Sequence, residues 1–341
     1  MQSQRLPTLE DVARVAGVSR ATVSRVVNGV RNVDPQLHEV VWSAVEQTGY
    51  VPNRLARSLV TRRSGTVALI VSDSETHDDD PFMSRFFVDP YFGRVVGGLM
   101  SVLRPAGIQL GLQMVGVEGH KRLVGDLRNG QADGAVVLSL PARDPLPGLL
   151  ADARIPAVLI GRPAEPVPIS YVDLANETGA ALAAECLVAR GCRRIGMISG
   201  PAGVPASQDR ITGFHRAMAR HGHAWVPSAA GNFTQESGER AMRTLLDERL
   251  DGIFVANDLM ALGALLVLRD AGRRVPEDVA VVGFDDSSAA LAARPTLTTV
   301  RHPLEDMAAE AARLLMARVE DPAGRVSSVI YEPTLVGRQS A

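Results

Sequence analysis

One short segment, residues 20–28, combines side chains that can read the edges of DNA bases. Arg20, Ala21, Ser24 and Arg25 fall on one side of a predicted helix, and valines fall on the other. An arginine fork can donate to O6 and N7 of guanine together, whereas alanine offers only an apolar contact, such as that with a thymine methyl group. The pattern suits a helix that lies against bases and phosphates. A solvated helix surface is an equal alternative for any one of these residues.

Three predicted helices position this segment. Thr8 and Asp11 form a capping-box pattern that starts the first helix, and Gly17 ends it. Ser19 caps the second helix, and Asp34, followed by proline, starts the third. The predicted buried face of the third helix is Leu37, Val40, Val41, Ala44 and Val45. The tight turn between the first two helices favours a helix-turn-helix, and a purely structural bundle is the alternative.

Charge favours the helix-turn-helix interpretation. Residues 1–65 contain nine arginines against five acidic residues, which gives a net charge of +4. The whole chain carries −2, so the remainder is net negative. A basic N-terminal segment on an otherwise acidic protein is typical of nucleic-acid binding.

Beyond residue 65, strand-like and helical stretches alternate, which predicts parallel sheets with crossover helices. About 275 residues is too many for one such core and comfortable for two. Open sheets of this kind bind ligands beyond the carboxyl ends of their strands. That rule points to residues 72–73, 161–162, 199–202, 256–258 and 284–286.

Three motifs carry a resemblance to a known family. Residues 8–13 (TLEDVA), 16–29 (AGVSRATVSRVVNG) and 49–53 (GYVPN) resemble the LacI/GalR family of bacterial transcription regulators. The resemblance implies an all-α helix-turn-helix headpiece followed by a periplasmic-binding-protein-like α/β core, whose two Rossmann-like lobes are joined by three crossing segments.

The expected boundaries follow from this resemblance. The headpiece is residues 1–51, the hinge helix and linker are 52–65, and the core is 66–341. Within the core we expect an N-lobe of about 66–169 and 303–325 and a C-lobe of about 170–299 and 326–338. The crossings are then expected near 169–171, 299–303 and 326.

The resemblance also assigns roles in DNA binding. Arg20 and Ala21 would select the operator sequence, and Arg25 would contact a guanine. Residues 53–59 match a hinge helix that folds when two copies meet on DNA, and Leu59 matches the wedge that enters the minor groove. Packing of Leu59 under the next domain is the alternative. The expected DNA contacts are Thr8, Ser19, Arg20, Ala21, Thr22, Ser24, Arg25, Asn28, Asn32, Tyr50, Asn53, Ala56 and Leu59.

Family motifs and the strand-end rule together indicate an effector site between the lobes. The candidates are Tyr91, Phe92, Arg162, Arg210, Phe233, Asn257, Asp285 and His302. A carboxylate, an amide, an arginine and aromatic faces suit a sugar, which has polar rims and apolar faces. Nucleosides, purines and a protein co-regulator remain alternative effectors, and each candidate residue could instead cap a helix or satisfy a loop.

Two segments depart from the family pattern. Residues 76–85 form an extra acidic stretch that would reshape the mouth of the site, and residues 206–208 lack the usual serine-to-arginine pattern before Arg210. His77 with the three aspartates that follow it suggests a metal only weakly, because consecutive carboxylates usually form a solvated loop. We predict no metal and no cofactor.

Other features exclude several classes of protein. The chain has no long apolar run, no signal peptide and no paired-cysteine motif, since Cys186 and Cys192 are six positions apart. No Walker loop, nucleophile elbow or zinc-spaced cluster indicates an enzyme.

The sequence therefore predicts a cytoplasmic regulator, most simply a repressor, that binds a pseudo-palindromic operator as a homodimer under allosteric control by a small molecule. A solute-binding receptor of the same two-lobed fold is the alternative function, and a hydrolase or kinase is a remote one. Whether the effector induces or co-represses, and whether the protein also activates, remains open at this level.

Overall fold

The computed structural model describes residues 7–28, 33–51, 63–73, 89–138 and 141–341. Four expected DNA contacts, Asn32, Asn53, Ala56 and Leu59, lie outside these ranges, as does the acidic stretch 76–85. The chain divides into two compact units. The first ends at Thr66 and includes Gly130–Asp133, and the second contains the remaining residues.

The first unit contains three helices, α1 (Leu9–Ala16), α2 (Arg20–Val27) and α3 (Pro35–Thr48). They bury a small apolar core made of Val12, Val23, Val26, Val27, Val41, Ala44 and Val45. The predicted buried face of α3 is wrong at two positions, because Leu37 and Val40 are 38% and 45% exposed. They lie beside the stripe through which α3 contacts the other two helices, so periodicity alone placed them inside.

The predicted helix ends are confirmed. The backbone N–H of Thr8 donates to the Asp11 carboxylate at 3.0 Å, which completes the capping box. The Ser19 hydroxyl accepts from a backbone N–H three residues on at 3.1 Å, and the Asp34 carboxylate accepts from one two residues on at 2.8 Å. Gly17 ends α1 with a φ of 66°, a left-handed conformation that glycine adopts without strain. Each cap stabilises its helix by about 1 kcal/mol.

The linker that follows is fixed at its end. The backbone N–H groups of Ser64 and Gly65 donate to the Asp133 carboxylate at 2.5 and 2.9 Å. The Asp133 N–H in turn donates to the Thr66 carbonyl at 2.8 Å. One aspartate therefore satisfies the backbone where the linker becomes the first strand.

The second unit contains two six-stranded sheets. The first has the order β11-β5-β4-β3-β1-β2 and the second the order β12-β10-β9-β8-β6-β7. The strands of the first sheet are β1 (Thr66–Asp73), β2 (Gln109–Gly116), β3 (Gly134–Leu138), β4 (Ala157–Ile160), β5 (Ser170–Leu174) and β11 (Ser328–Tyr331). Those of the second are β6 (Ile195–Ser199), β7 (Ser228–Ala230), β8 (Gly252–Val255), β9 (Ala280–Asp285), β10 (Thr298–Arg301) and β12 (Thr334–Val336).

Helices alternate with these strands. Those of the first lobe, built on the first sheet, are α4 (Pro90–Leu103), α5 (His120–Arg128), α6 (Leu146–Asp152) and α12 (Leu304–Glu320). Those of the second lobe are α7 (Asn176–Ala189), α8 (Pro205–Arg220), α9 (Gln235–Leu245), α10 (Asp258–Asp270) and α11 (Ser288–Ala292). The pairs β3–β4 and β8–β9 are parallel, whereas β10 and β12 are antiparallel. The predicted fold class, a helix-turn-helix unit with a two-lobed α/β core, is confirmed.

Two of the predicted crossings between lobes are misplaced. β5 pairs with β4 and β11 in the first sheet, so the chain leaves this lobe near residue 175 and not near 169–171. β11 also belongs to the first sheet, which moves the last crossing from 326 to 332–333. β5, with buried Val172 and Leu174, lies between β4 and β11 in the first sheet, a long-range pairing that strand patterns do not encode. The crossing between β10 and α12 lies near its predicted place.

Within the described ranges, no helix is both long and apolar enough to cross a membrane.

Candidate functional site

The expected base-reading face of α2 is open to solvent. Arg20, Ala21 and Arg25 are exposed. Arg20 Nε lies 2.9 Å from the Glu10 carboxylate, but this pair is weak because the two side chains are 68% and 60% exposed. Arg25 forms no ion pair in the part of the chain that the structure describes. The helix therefore presents two guanidinium groups that a polyanion can engage.

The other described members of the expected DNA-contact set are exposed or half-buried: Thr8, Ser19, Thr22, Ser24, Asn28 and Tyr50. The Ser19 and Thr22 hydroxyls lie 2.9 Å apart, and Asn28 Nδ2 donates to Ser24 Oγ at 3.2 Å. Tyr50 packs against the small core of the first unit. These contacts fix hydroxyl and amide groups on and beside α2, where they can hydrogen-bond phosphates.

In the second unit, polar side chains from both lobes meet in a cleft. A small cavity in this cleft is lined by the start of α4 in the first lobe and by strand and helix ends of the second. The residues that line it are Asp89, Pro90, Tyr91, Arg94, Leu259, Asp285 and Ser287. This is the edge at which parallel strands end, so the strand-end rule locates the cleft.

Arg210 is the most buried cation of the cleft. It is 5% exposed, and its guanidinium lies over the Phe284 ring at 3.7 Å. Nε donates to Asn176 Oδ1 at 2.9 Å, and Nη1 donates to the Ala256 carbonyl at 2.6 Å and lies 3.8 Å from Asp285 Oδ1. Burial lowers the pKa of Arg210, and the Asp285 charge opposes that effect. These partners fix the guanidinium plane before any ligand arrives.

Asp285 lies between this arginine and a histidine. Its φ is 114°, which is strained for a residue other than glycine, and such strain is concentrated at functional sites. His302 Nδ1 lies 3.5 Å from Asp285 Oδ1, while His302 Nε2 is buried without a partner in the described residues. Burial lowers the pKa of His302. The Tyr91 ring lies 6.3 Å from that of His302, measured between centroids.

Arg94, which the sequence analysis did not single out, fixes the backbone of this cluster. It donates from Nη1 to the Asp285 carbonyl at 3.0 Å and from Nη2 to the His302 carbonyl at 2.7 Å. Its Nε and Nη2 also form a fork to the Glu305 carboxylate, both at 2.7 Å. Arg94 therefore joins the first lobe to the strand ends that carry Asp285 and His302. Its place one turn after Tyr91 is the only sequence signal for it.

The carboxylates of the cleft are crowded. Burial raises the pKa of Asp89 to about 6, and the charge of Asp285 adds to the shift. Burial and Asp285 also raise the pKa of Asp258, although Thr299 and Ser287 donate to its oxygens at 2.6 to 3.0 Å. Burial raises the Tyr91 pKa as well. The cleft thus has abundant acceptors for hydroxyl groups and little room for another negative charge.

Two candidate residues, Asn257 and Phe233, contact other groups of their own chain. Asn257 Oδ1 caps α10 by accepting from the Met260 N–H at 2.9 Å, and Nδ2 donates to the Phe233 carbonyl at 3.0 Å. This is the helix-capping alternative for Asn257. Phe233 has a φ of 69°, and its ring packs against Gly200. Phe92 belongs to the apolar core, with 6% exposure.

Arg162, another candidate, is engaged across the cleft. From the end of β4 in the first lobe, it donates from Nε and Nη2 to the two Asp209 oxygens at 3.0 and 2.5 Å, and Asp209 lies on α8 of the second lobe. Asp173 Oδ2 is 4.0 Å away, and burial raises its pKa. Sequence reasoning missed Asp209 and Asp173, because nothing local marks a pair whose partners are 47 positions apart.

Among the described residues, no group of three or more histidine, cysteine, aspartate or glutamate side chains is arranged to hold a metal ion. The acidic stretch from 76 lies outside those residues, so its metal alternative stays a sequence-level hypothesis.

A helix-turn-helix unit joined to a two-lobed core with a polar cleft defines a class of DNA-binding regulators. Residues 8–53 match the bacterial regulatory proteins of the lacI family, and residues 184–341 match the periplasmic binding protein-like domain. The HTH-type transcriptional regulator CelR of Thermobifida fusca is 44% identical over the full length of both chains. The chain belongs to the LacI family of DNA-binding transcription regulators, which confirms the resemblance.

Other relatives extend this similarity. The HTH-type transcriptional repressor PurR of Escherichia coli O139:H28 is 30% identical over 98% of this chain and 97% of its own. The structure of a CelR–cellobiose complex matches with a TM-score of 0.75 and 41% identity, over 98% of this chain and 100% of that one. The lac repressor dimer bound to operator and the anti-inducer ONPF matches with a TM-score of 0.81 and 27% identity, over 98% and 99%.

Proposed function

We propose that this regulator is a repressor that binds a pseudo-palindromic operator as a homodimer and is controlled by a sugar bound in the inter-lobe cleft. One observation carries the proposal: a buried arginine, Arg210, and a strained carboxylate, Asp285, meet at the strand ends of a core that follows a capped helix with exposed arginines. A homodimer is expected because one recognition helix reads half a site, and protein symmetry is mirrored in the operator.

The choice of a sugar rests on the chemistry of the cleft. Its carboxylates accept hydroxyl protons, Arg210 donates, and Tyr91 adds an aromatic face, which together suit a neutral polyol. A further negative charge would be repelled by Asp89, Asp258 and Asp285. Because a relative, CelR, is described in complex with cellobiose, we place β-linked glucose disaccharides first. PurR is also a relative, so purines are the second class to test.

The residue roles are part of the proposal. For the headpiece, residues 1–51, and the hinge and linker, 52–65, we propose the DNA contacts expected from the sequence, with Arg20 and Ala21 selecting the operator sequence and Arg25 contacting a guanine. For the core, 66–341, we propose Tyr91, Arg210, Asp285 and His302 as effector contacts. Asn257 and Phe233 would join them after a local rearrangement, and Phe92 would support Tyr91 from the core.

We also propose that the chain does no catalysis and acts in the cytoplasm, where its operator is. The proposed binding role gives each named cleft residue a function without catalysis, and the relatives are transcription regulators. A hydrolase would convert the bound sugar, so recovery of unchanged cellobiose after incubation supports the binding role.

The decisive experiment is operator selection from random DNA duplexes by the purified full-length protein, followed by titration of the selected duplex with cellobiose, glucose and hypoxanthine. A palindromic consensus whose complex responds to one sugar supports the proposal. A consensus that responds only to hypoxanthine replaces the sugar with a purine. Failure to select any consensus would favour a receptor that binds ligand without reading DNA.

A further inference from the structure

Two hydrogen-bonded contacts join the lobes away from Asp285 and from the crossings. The ion pair from Arg162 to Asp209 is one of them, and we call it the fork because Nε and Nη2 of Arg162 each donate to a different Asp209 oxygen. The second is a backbone hydrogen bond from the Ala142 N–H, after β3 in the first lobe, to the Gly203 carbonyl, after β6 in the second, at 2.8 Å. Both bonds break when the lobes separate.

The fork is better placed than an ordinary surface pair. The Asp209 side chain is only 15% exposed and that of Arg162 is 39% exposed, so water screens the pair incompletely. Bidentate geometry adds direction to the charge attraction. Asp173 adds a second carboxylate 4.0 Å from Arg162 Nε, which keeps the guanidinium on this side of the cleft.

The fork also ends next to a proposed effector contact, Arg210. Asp209 directly precedes Arg210 on α8, and Arg210 Nε and Nη1 are already fixed by Asn176 and the Ala256 carbonyl. A bond from the first lobe to Asp209 therefore sets the distance between Arg210 and the first-lobe side of the cleft, where Tyr91 lies.

We infer that Arg162 and Asp209 form an inter-lobe pair that keeps the cleft closed and so positions Arg210 opposite Tyr91. Arg162 is then a positioning residue and not the effector contact that the sequence suggested. The consequence for effector affinity rests on the function proposed above. Closure of the cleft can be measured without DNA or effector.

The test is hydrogen exchange of the full-length protein alone, read at the Ala142 amide, which is protected only while the lobes are closed. Asp209→Asn and Arg162→Gln should each accelerate that exchange about three- to tenfold, the range expected for a well-oriented ion pair that is partly shielded. The double variant should be no faster than either single variant, because both remove one interaction.

A matched control lies on the same helix. Arg216 on α8 pairs with Glu177 at 2.6 Å, but both residues belong to the second lobe. Arg216→Gln should leave the exchange of Ala142 unchanged. The amides of Val136 and Val255, inside each sheet, report whether a lobe itself is loosened.

Three results would overturn the inference: unchanged Ala142 exchange in both single variants, additive effects in the double variant, or equal acceleration at Val136 and Val255. A protein that fails to select an operator, or ignores every sugar, would refute the proposed function and leave this measurement intact. The two proposals can therefore fail separately.

Discussion

Arginine side chains have opposite environments in the two units of this chain. In the helix-turn-helix unit, Arg20 is 68% exposed, and its only described ion-pair partner is an exposed glutamate. In the core, the Arg210 side chain is 6% exposed and touches four groups of its own chain. An exposed cation suits a long polyanion, whose binding is driven largely by counterion release. A buried and fixed cation suits a small neutral ligand, because its hydrogen-bond geometry is set in advance.

We expect the largest effect from the removal of the buried arginine. Arg210→Met leaves Asp285 without its cation, so we expect unfolding free energy to fall by about 3 kcal/mol or more, the usual cost of breaking a buried pair. The response to the effector should also be lost. Urea denaturation and operator titration with cellobiose measure the two effects. A variant of wild-type stability that still responds would show that Arg210 is not part of the site.

Removal of an exposed arginine should act on DNA alone. Arg25→Ala should weaken operator binding about 10- to 100-fold, equivalent to 1–3 kcal/mol for a lost guanine contact. Folding stability should change by less than about 0.5 kcal/mol, because the side chain is exposed. Gel-shift titration on the selected operator and on its guanine-substituted form is the measurement. An equal loss on both duplexes would assign Arg25 to phosphate instead of base.

The buried carboxylates of the cleft predict that the stability of the core depends on pH. Since the folded-state pKa of Asp89 is raised to about 6 from 3.8, its contribution to stability is full below pH 4 and is lost as pH rises through 6. Asp89→Asn keeps a helix-capping side chain but carries no charge, so it should be more stable than wild type at pH 7 by about 1 to 2 kcal/mol. The difference should vanish near pH 4. Urea unfolding at pH 4 and pH 7 measures the difference in stability between the variant and wild type. A difference that is the same at both pH values would contradict the raised pKa of Asp89.

The smallest effect is expected at the exposed ion pair of the headpiece. Glu10→Gln breaks only the exposed pair with Arg20, so headpiece stability should change by about 0.5 kcal/mol or less. Operator affinity should rise about twofold at low salt, because one negative charge near the DNA is removed. Thermal melts and binding at two salt concentrations give the two values. A loss of stability above 1 kcal/mol would mean that the headpiece depends on this pair.

How much of the structure could be predicted from the sequence depends on how far apart in the chain the interacting residues are. The caps at Thr8, Ser19 and Asp34 are local patterns, and all three are present as predicted. The alternation of strands and helices predicted the parallel sheets for the same reason, whereas the two-lobed arrangement was implied by the family resemblance. Leu37 was placed inside the headpiece wrongly, because periodicity defines a stripe but not its edges.

The position of the cleft was predictable from the sequence, but its hydrogen bonds and ion pairs were not. Strand ends and family motifs led to Arg210 and Asp285, which the structure brings within 3.8 Å. Arg94 and Asp209 were missed, because their roles arise from contacts between lobes that no local pattern records. The misplaced crossings have the same cause, since β5 joins the first sheet by pairing with β4, and β11 joins it by pairing with β5.

The three crossings near 175, 302 and 332 have a consequence for recombination. Each lobe is assembled from separate stretches of chain, so exchange of a whole lobe between two relatives requires three breakpoints to be matched at once. The helix-turn-helix unit is attached through a single linker before β1, and one breakpoint transfers it. New pairings of operator and effector should therefore arise far more readily by shuffling N-terminal segments than by shuffling lobes.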